Sequence, residues 1–116
     1  KDNKFLSKFT KNYKGPLLNL SGKIDLLTTA AVLEKVQLFI GNDSGLGHIA
    51  SAVNINTFTI FGPGEPHRYR PWGDKSFWFQ NKEKIIQNVD PLTVYKKMEI
   101  KKIKPKDVYI KIVKLK

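Results

Sequence analysis

The chain has 116 residues, which is the length of one domain or of part of one. Hydrophobic residues make up 41% of it and charged residues 27%, a globular composition that argues against wholesale disorder. With no cysteine and two histidines, the chain excludes a disulfide framework and a cysteine nucleophile, and we expect no metal site.

The positive charge is concentrated at one end of the chain. The formal net charge is +11, and residues 96–116 carry nine lysines against two acids, a net charge of +7. Such a segment is typical of a solvated surface or of contact with an anionic membrane, and nucleic acid is a further option. No apolar run reaches the ~20 residues of a membrane span. Because the chain starts at Lys1 without a charged and apolar leader, we expect that a leader has been removed or that the chain is a piece of a longer protein.

Local patterns predict helices and strands along most of the chain. Apolar residues at near-helical spacing predict a helix over 2–12, and Asp25 is a typical cap for the helix that follows it. Apolar, β-branched and aromatic runs predict strands over 37–41 and 57–61. The other predicted elements are a helix over 45–53, an irregular loop over 62–74, a strand over 76–80, a helix beginning at Asp90 and an edge strand through Val108, Ile110 and Ile112.

The order of elements over residues 25–61 predicts a parallel sheet. Helix, strand, turn, helix and strand follow one another there, as in Rossmann-like α/β proteins with helices flanking the sheet. Ligands of such folds bind outside the carboxyl ends of the strands. Segments 41–48 and 62–74 leave strand ends at that edge, so we expect a functional site formed by both.

The turn from Gly41 to His48 has the composition of a phosphate-binding helix N-terminus. Its glycines let a ligand approach the backbone, and the first amides of the following helix have no partner inside the helix. The Ser44 hydroxyl adds a donor, whereas Asp43 would repel a phosphate and is expected to cap the helix or to bind sugar hydroxyls. A plain capped helix explains the same residues. A serine nucleophile is disfavoured, because His48 on the same short helix is poorly placed to act as a base for Ser44.

The loop over 62–74 combines cations with aromatic rings. It contains both arginines of the chain, and its cationic and aromatic residues are His67, Arg68, Tyr69, Arg70 and Trp72. This set suits the recognition of a base or a diphosphate. The alternative is a surface lid closed by Trp72, and we expect that ring to pack on the body of the domain rather than on a ligand.

Three strings of the chain stand in the order and at the spacing of motifs from one known family. Residues 41–52 resemble an Asp-Ser/Thr-Gly-x-x-His-x-Ala-x-Ala signature, and residues 61–66 resemble a Phe/Tyr-Gly-Pro-Thr/Ser-x-Pro string. Residues 19–23 look like an Asn-Leu-x-Gly segment. Together, over about residues 17–95, they resemble glycosyltransferase family 9, which includes the ADP-heptose:lipopolysaccharide heptosyltransferases.

The resemblance implies a GT-B fold, in which two Rossmann-like halves enclose the active site and the C-terminal half holds the nucleotide-sugar donor. The substrate-binding residues expected in this part of the C-terminal half are Asp43, Ser44, Gly45 and His48 in the first segment and Gly62, Pro63 and Arg68 in the second. Asp43 would contact sugar hydroxyls, and Ser44 and Gly45 would bind the diphosphate. The chain departs from the family at Gly47, commonly a larger residue, and at Gly64, commonly Ser or Thr.

The resemblance implies no metal and no cofactor, because helix amides and cationic side chains take the place of a metal at the diphosphate. The catalytic carboxylate and the acceptor site are expected in an N-terminal half outside these 116 residues. Residues 1–95 are then the donor-binding part of a glycosyltransferase that uses a nucleotide-diphosphate sugar, ADP-heptose first of all, and a lipid-linked glycan acceptor. Residues 96–116 are a Lys-rich extension, and the expected location is the cytoplasm at the inner face of the bacterial cytoplasmic membrane. The alternative is a basic α/β module that binds nucleic acid or another partner without catalysis.

Overall fold

The structure is a computed structural model that describes residues 3–80 and 103–115. Its three strands form a parallel sheet in the order β1–β2–β3, with the bounds Leu38–Asn42, Asn56–Phe61 and Ser76–Gln80. The helices of the described residues are α1 (Asn3–Asn12), α2 (Leu26–Leu33), α3 (Gly45–Ala52), α4 (Pro66–Tyr69) and α5 (Pro105–Val113). The helix predicted to begin at Asp90 lies outside the described residues.

The central strand β2 carries the most deeply buried side chains of the sheet. Phe58 and Phe61 are each 1% exposed, and Thr57 and Thr59 are buried with them. A strand with neighbours on both edges and helices over its faces reads as an almost continuous buried run, because neither face meets water. This explains why the sequence 57–61 identifies the strand so clearly.

Helices lie on both faces of the sheet. On one face, a Cβ placed on Gly47 of α3 would lie 3.7 Å from the Phe39 ring and 3.7 Å from the Thr59 hydroxyl. On the other face, Ile60 lines a cavity of about 530 Å³ together with Phe5 of α1 and Val108 of α5. The predicted Rossmann-like α/β class, with a parallel sheet and flanking helices, is therefore confirmed.

The predicted edge strand at residues 108–112 is wrong, because this segment forms α5. Pro105 occupies the first turn, where its missing N–H costs nothing. Val108 is 8% exposed, whereas Tyr109 and Ile110 face solvent. Three apolar residues at alternate positions in so short a segment fit a strand, but the buried Val108 and the half-buried Ile112 are four positions apart, as on one face of a helix.

The loop over 62–74 is more ordered than its Pro and Gly content predicts. It contains the short helix α4, which begins at Pro66.

Among the helices of residues 3–80 and 103–115, we find none with both the length and the apolar content needed to cross a membrane.

Candidate functional site

The N-terminus of α3 is open to solvent at the carboxyl end of β1. Asn42 ends the strand, and Ser44 takes the N-cap position in an extended conformation. Its hydroxyl makes no capping hydrogen bond, and within the described ranges no side chain accepts from the N–H groups of Gly45 and Leu46. Apart from its chain neighbours and the helix backbone, no atom of the described residues lies within 4 Å of the position that a Cβ on Gly45 would occupy. Two outward amides and the positive end of the helix dipole therefore form a ready site for an anion.

The structure brings the two predicted loops together at Asp43. The Oδ2 atom of its exposed side chain lies 3.0 Å from the position that a Cβ on Gly64 would occupy. The Asp43 carboxylate does not cap α3, and within the described part of the chain it makes no hydrogen bond. The larger Ser or Thr that the resemblance predicts in place of Gly64 would meet both Asp43 and the Phe61 ring, which is 3.3 Å from the same position.

Gln80 is a site residue that the sequence analysis missed. It ends β3 and pairs in register with Phe61 of β2. Its side-chain amide donates two hydrogen bonds, to the carbonyl oxygen of Gly62 at 2.8 Å and to that of Gly64 at 2.7 Å. No local pattern identifies such a residue, because its partners lie 18 and 16 positions earlier in the chain.

One face of α3 is exposed to solvent and another packs against the second loop. His48 is exposed, whereas Gly47 is buried. A Cβ on Gly47 would lie 3.3 Å from Cγ of the buried Pro71. The departure from the family at Gly47 therefore lets the second loop pack closely on α3.

The second loop runs along α3 from the carboxyl end of β2 to the amino end of β3. The Ser51 hydroxyl of α3 donates a hydrogen bond to the carbonyl oxygen of Trp72. Further on, the Lys75 carbonyl accepts from the N–H of Thr57, at the start of the sheet. Hydrogen bonds thus hold the C-terminal end of the loop, near Trp72 and Lys75. Its N-terminal residues, 62–64, are the ones that lie beside Asp43.

Arg68 lies in a different setting from Asp43. It belongs to α4, with its guanidinium carbon 5.4 Å from the centre of the Tyr69 ring. It lines a cavity of about 110 Å³ whose other walls are His67, Arg70, Pro71, Trp72 and Gly73. None of the residues 41–48 lines that cavity, and in the described ranges no hydrogen bond joins the Arg68 side chain to them.

Trp72 does not pack on the domain as the sequence analysis expects. Its side chain is 90% exposed, although its backbone is held by Ser51 and Gly73 follows in a positive-φ conformation. Pro71 takes the buried place next to α3 instead. The lid interpretation therefore fails at the residue that was expected to close it.

Comparison with known proteins agrees with the three motifs. Residues 1–99 match the model of glycosyltransferase family 9 (heptosyltransferase). No solved structure matches the chain with significant similarity.

Curated relatives carry heptosyltransferase names. The chain is 36% identical over 72 residues to lipopolysaccharide heptosyltransferase 3 of Escherichia coli K12. This alignment covers 60% of this chain and 21% of that protein. It is 37% identical over 59 residues to lipooligosaccharide heptosyltransferase 2 of Haemophilus influenzae, covering 51% of this chain and 17% of the relative. It is 33% identical over 101 residues to lipooligosaccharide heptosyltransferase 2 of Campylobacter jejuni, covering 84% and 31%.

The chain spans between 17% and 31% of the lengths of these relatives. The family match covers all of the α3 site and its neighbouring loop. On this match, the chain belongs to glycosyltransferase family 9, the heptosyltransferase family.

Proposed function

We propose that this chain is the donor-binding part of a glycosyltransferase that transfers heptose from ADP-heptose to a lipopolysaccharide or related surface glycan. Two supports come from outside the site, the family match and the names of the heptosyltransferase relatives. The single observation that carries the proposal is the uncapped N-terminus of α3, with the Asp43 carboxylate beside Gly64 at the same edge of the sheet.

Each residue of the proposed site has a distinct chemical task. The N–H groups of Gly45 and Leu46, with the Ser44 hydroxyl, bind the diphosphate of the donor. Asp43, which does not cap the helix, accepts hydrogen bonds from sugar hydroxyls. His48 lies one helical turn away and lines the same pocket.

The second loop borders the same donor. Gly62 and Pro63 form the wall opposite α3, since Gly64 of that loop approaches Asp43. Arg68 is proposed to approach the donor phosphates from α4, as a cation that takes the place of a metal. In the structure its guanidinium lies beside the Tyr69 ring, so this role requires the side chain to turn toward the donor.

The reaction is a direct displacement at the anomeric carbon of the sugar. The acceptor oxygen forms the new bond to that carbon as the bond to the nucleotide diphosphate breaks, and the acceptor proton passes to a base. Helix amides that already bind the diphosphate stabilise the negative charge that develops on it as it leaves. The base and the acceptor site are expected outside this chain, so the chain mixed with donor and acceptor should give no transfer.

Titration of ADP-, GDP- and UDP-sugars against the amide NMR signals of residues 43–48 tests the proposal. We expect ADP-heptose to shift those signals. The variants Asp43→Ala and Ser44→Ala should each weaken binding by about tenfold, because a hydrogen bond to a charged group contributes roughly 1.5–3 kcal/mol. Glu34→Ala, an exposed carboxylate at the far end of α2, is the matched control and should bind normally.

Two results would contradict the proposal, one from this titration and one from a parallel titration with oligonucleotides. One is the absence of shifts at residues 43–48 with every nucleotide sugar. The other is tight, salt-sensitive binding of oligonucleotides that leaves these residues unchanged, which is the signature of a nucleic-acid module.

We also propose that the Lys-rich residues 96–116 attract the protein to an anionic membrane. The support is their net charge of +7, since lysines near such a surface each contribute about 1 kcal/mol. Co-sedimentation with vesicles should rise with the fraction of phosphatidylglycerol and fall with added salt. Equal sedimentation with neutral phosphatidylcholine vesicles would exclude this role.

A further inference from the structure

We propose that Gln80 is a positioning residue for the donor site, which it shapes by holding the 62–64 loop against Asp43. This inference rests on the proposed function. The Gln80 amide donates to the carbonyls of Gly62 and Gly64 and not to Asp43. Gln80 therefore influences the donor site through the position of the loop.

The side-chain amide of Gln80 uses both of its donors on one short loop. A primary amide has two N–H groups, and here one carbonyl lies 2.8 Å and the other 2.7 Å from the same Nε2 atom. The two carbonyls belong to Gly62 and Gly64, on either side of Pro63. One side chain therefore fixes the orientation of two peptide planes in a Gly-Pro-Gly segment, where Pro63 has a fixed φ but the glycines are conformationally permissive.

This orientation also determines where the next amide points. In a trans peptide the N–H group and the C=O group point in opposite directions, and the described residues contain no cis peptide. The Gly64 carbonyl points at Gln80, so the N–H of Glu65 in the same peptide points away from β3. Within the described part of the chain that N–H has no hydrogen-bond partner, and it remains available to a ligand.

The clearance between the two loops leaves little room for displacement. Asp43 Oδ2 lies 3.0 Å from the Cβ position of Gly64, and the Phe61 ring lies 3.3 Å from the same position. Gln80 is held by strand pairing opposite Phe61, so strand β3 sets the position of the loop. Loss of the two hydrogen bonds should let Gly64 move relative to Asp43 and widen the donor site.

Two substitutions in the full chain remove the donors while keeping the length of the side chain. Gln80→Glu has nearly the same shape but offers acceptors to two carbonyls, and Gln80→Met fills the space without polar atoms. Ser76→Ala is the matched control on the same strand, since the Ser76 hydroxyl is buried and has no hydrogen-bond partner in the described ranges.

Amide NMR of the ligand-free protein is the first measurement. Both Gln80 variants should shift or broaden the signals of Gly62, Gly64 and Glu65, and Ser76→Ala should leave them in place. The second measurement is the Kd for ADP-heptose, which we expect to rise by about tenfold in both variants for the loss of two hydrogen bonds. The third is the double variant with Asp43→Ala, in which the two losses should combine to less than their sum, because both act on one contact.

Three outcomes would overturn the inference. They are unchanged loop signals in both Gln80 variants, an unchanged Kd, and losses that add fully with Asp43→Ala. A wild-type chain that binds no nucleotide sugar would overturn the proposed function and the donor role of Gln80 together. In that case the ligand-free spectra would still show whether Gln80 positions the loop, so the two failures are distinguishable.

Discussion

The helices α2 and α3 have the same length, and each follows a residue of a type that commonly caps helices, yet the capping hydrogen bonds at their N-termini differ. Each has eight residues and an N-cap in an extended conformation. At α2, Asp25 Oδ1 accepts a hydrogen bond from the N–H of Thr28 at 2.7 Å. At α3, the Ser44 hydroxyl caps nothing. The cap of the first helix thus binds one of its first amides, whereas at the second helix the N–H groups of Gly45 and Leu46 have no side-chain acceptor in the described residues.

The capping hydrogen bond at α2 also changes the pKa of Asp25. Hydrogen bonding by Thr28, first through its side chain and then through its backbone N–H, lowers the pKa of Asp25 below its ordinary value of 3.8. A carboxylate at a helix N-terminus also meets the positive end of the dipole. We infer that the diphosphate of the donor supplies to α3 the negative charge that α2 carries permanently.

Ser44→Asp tests the comparison most severely, because it gives α3 the residue that closes α2. The new carboxylate should cap the helix and add roughly 0.3–1 kcal/mol of stability. It should also weaken ADP-heptose binding by about 100-fold or more, since two amide hydrogen bonds to the diphosphate are lost. Thermal unfolding and calorimetric titration measure the two effects.

The converse variant Asp25→Ser is the control for this prediction. It should lower the stability of the chain and leave the Kd for ADP-heptose unchanged. If Ser44→Asp binds donor as well as the wild type does, the amides of α3 are not the diphosphate site.

Gly47→Met tests whether the uncapped N-terminus of α3 depends on the close packing of that helix against Pro71. A Met side chain has no space between α3 and Pro71, and overpacking of this kind costs about 1–3 kcal/mol. Gly47→Ala should come close to neutral, because the better helix propensity of Ala, about 0.5–1 kcal/mol, offsets a tight Cβ contact. Urea unfolding of the two variants measures the difference, and equal stabilities would show that Pro71 moves aside freely.

The smallest expected effect is the pH dependence of the stability that Asp25 contributes at the capped N-terminus of α2. Because folding lowers the pKa of Asp25, the unfolded chain binds this proton more tightly, and the charge stabilises the fold above the ordinary value of 3.8. That contribution is lost as the pH falls through the lowered native pKa. The Tm advantage of wild type over Asp25→Asn should therefore be greatest near neutral pH and shrink toward zero on acidification. A constant difference between pH 7 and pH 2 would contradict the assignment.

Features of the site that arise within a few residues could be predicted from the sequence. The cap at Asp25, the strand before Asn42 and the glycine-rich start of α3 each depend on neighbouring residues. The positions of Asp43, Ser44 and Gly45 at one strand end follow from them, because parallel strands end at the same edge.

Features that depend on distant contacts could not be predicted. Gln80 has no unusual neighbours in the sequence, and only the register of β3 places it opposite Phe61. The exposure of Trp72 follows from the buried position of Pro71 one residue earlier, which no local pattern distinguishes. At residues 108–112 the apolar alternation was misleading, since the segment is too short to separate a period of 2 from one of 3.6.

The strand register has a consequence for how this chain folds. Leu38 of β1 pairs with Asn56 of β2, 18 residues later, and Thr57 of β2 pairs with Ser76 of β3, 19 residues later. Such connections are short for parallel strands, and the entropy lost on closing a loop grows only with the logarithm of its length. All the pairing residues of these three strands therefore lie within residues 38–80, and we expect this part of the sheet to form from one short stretch of chain.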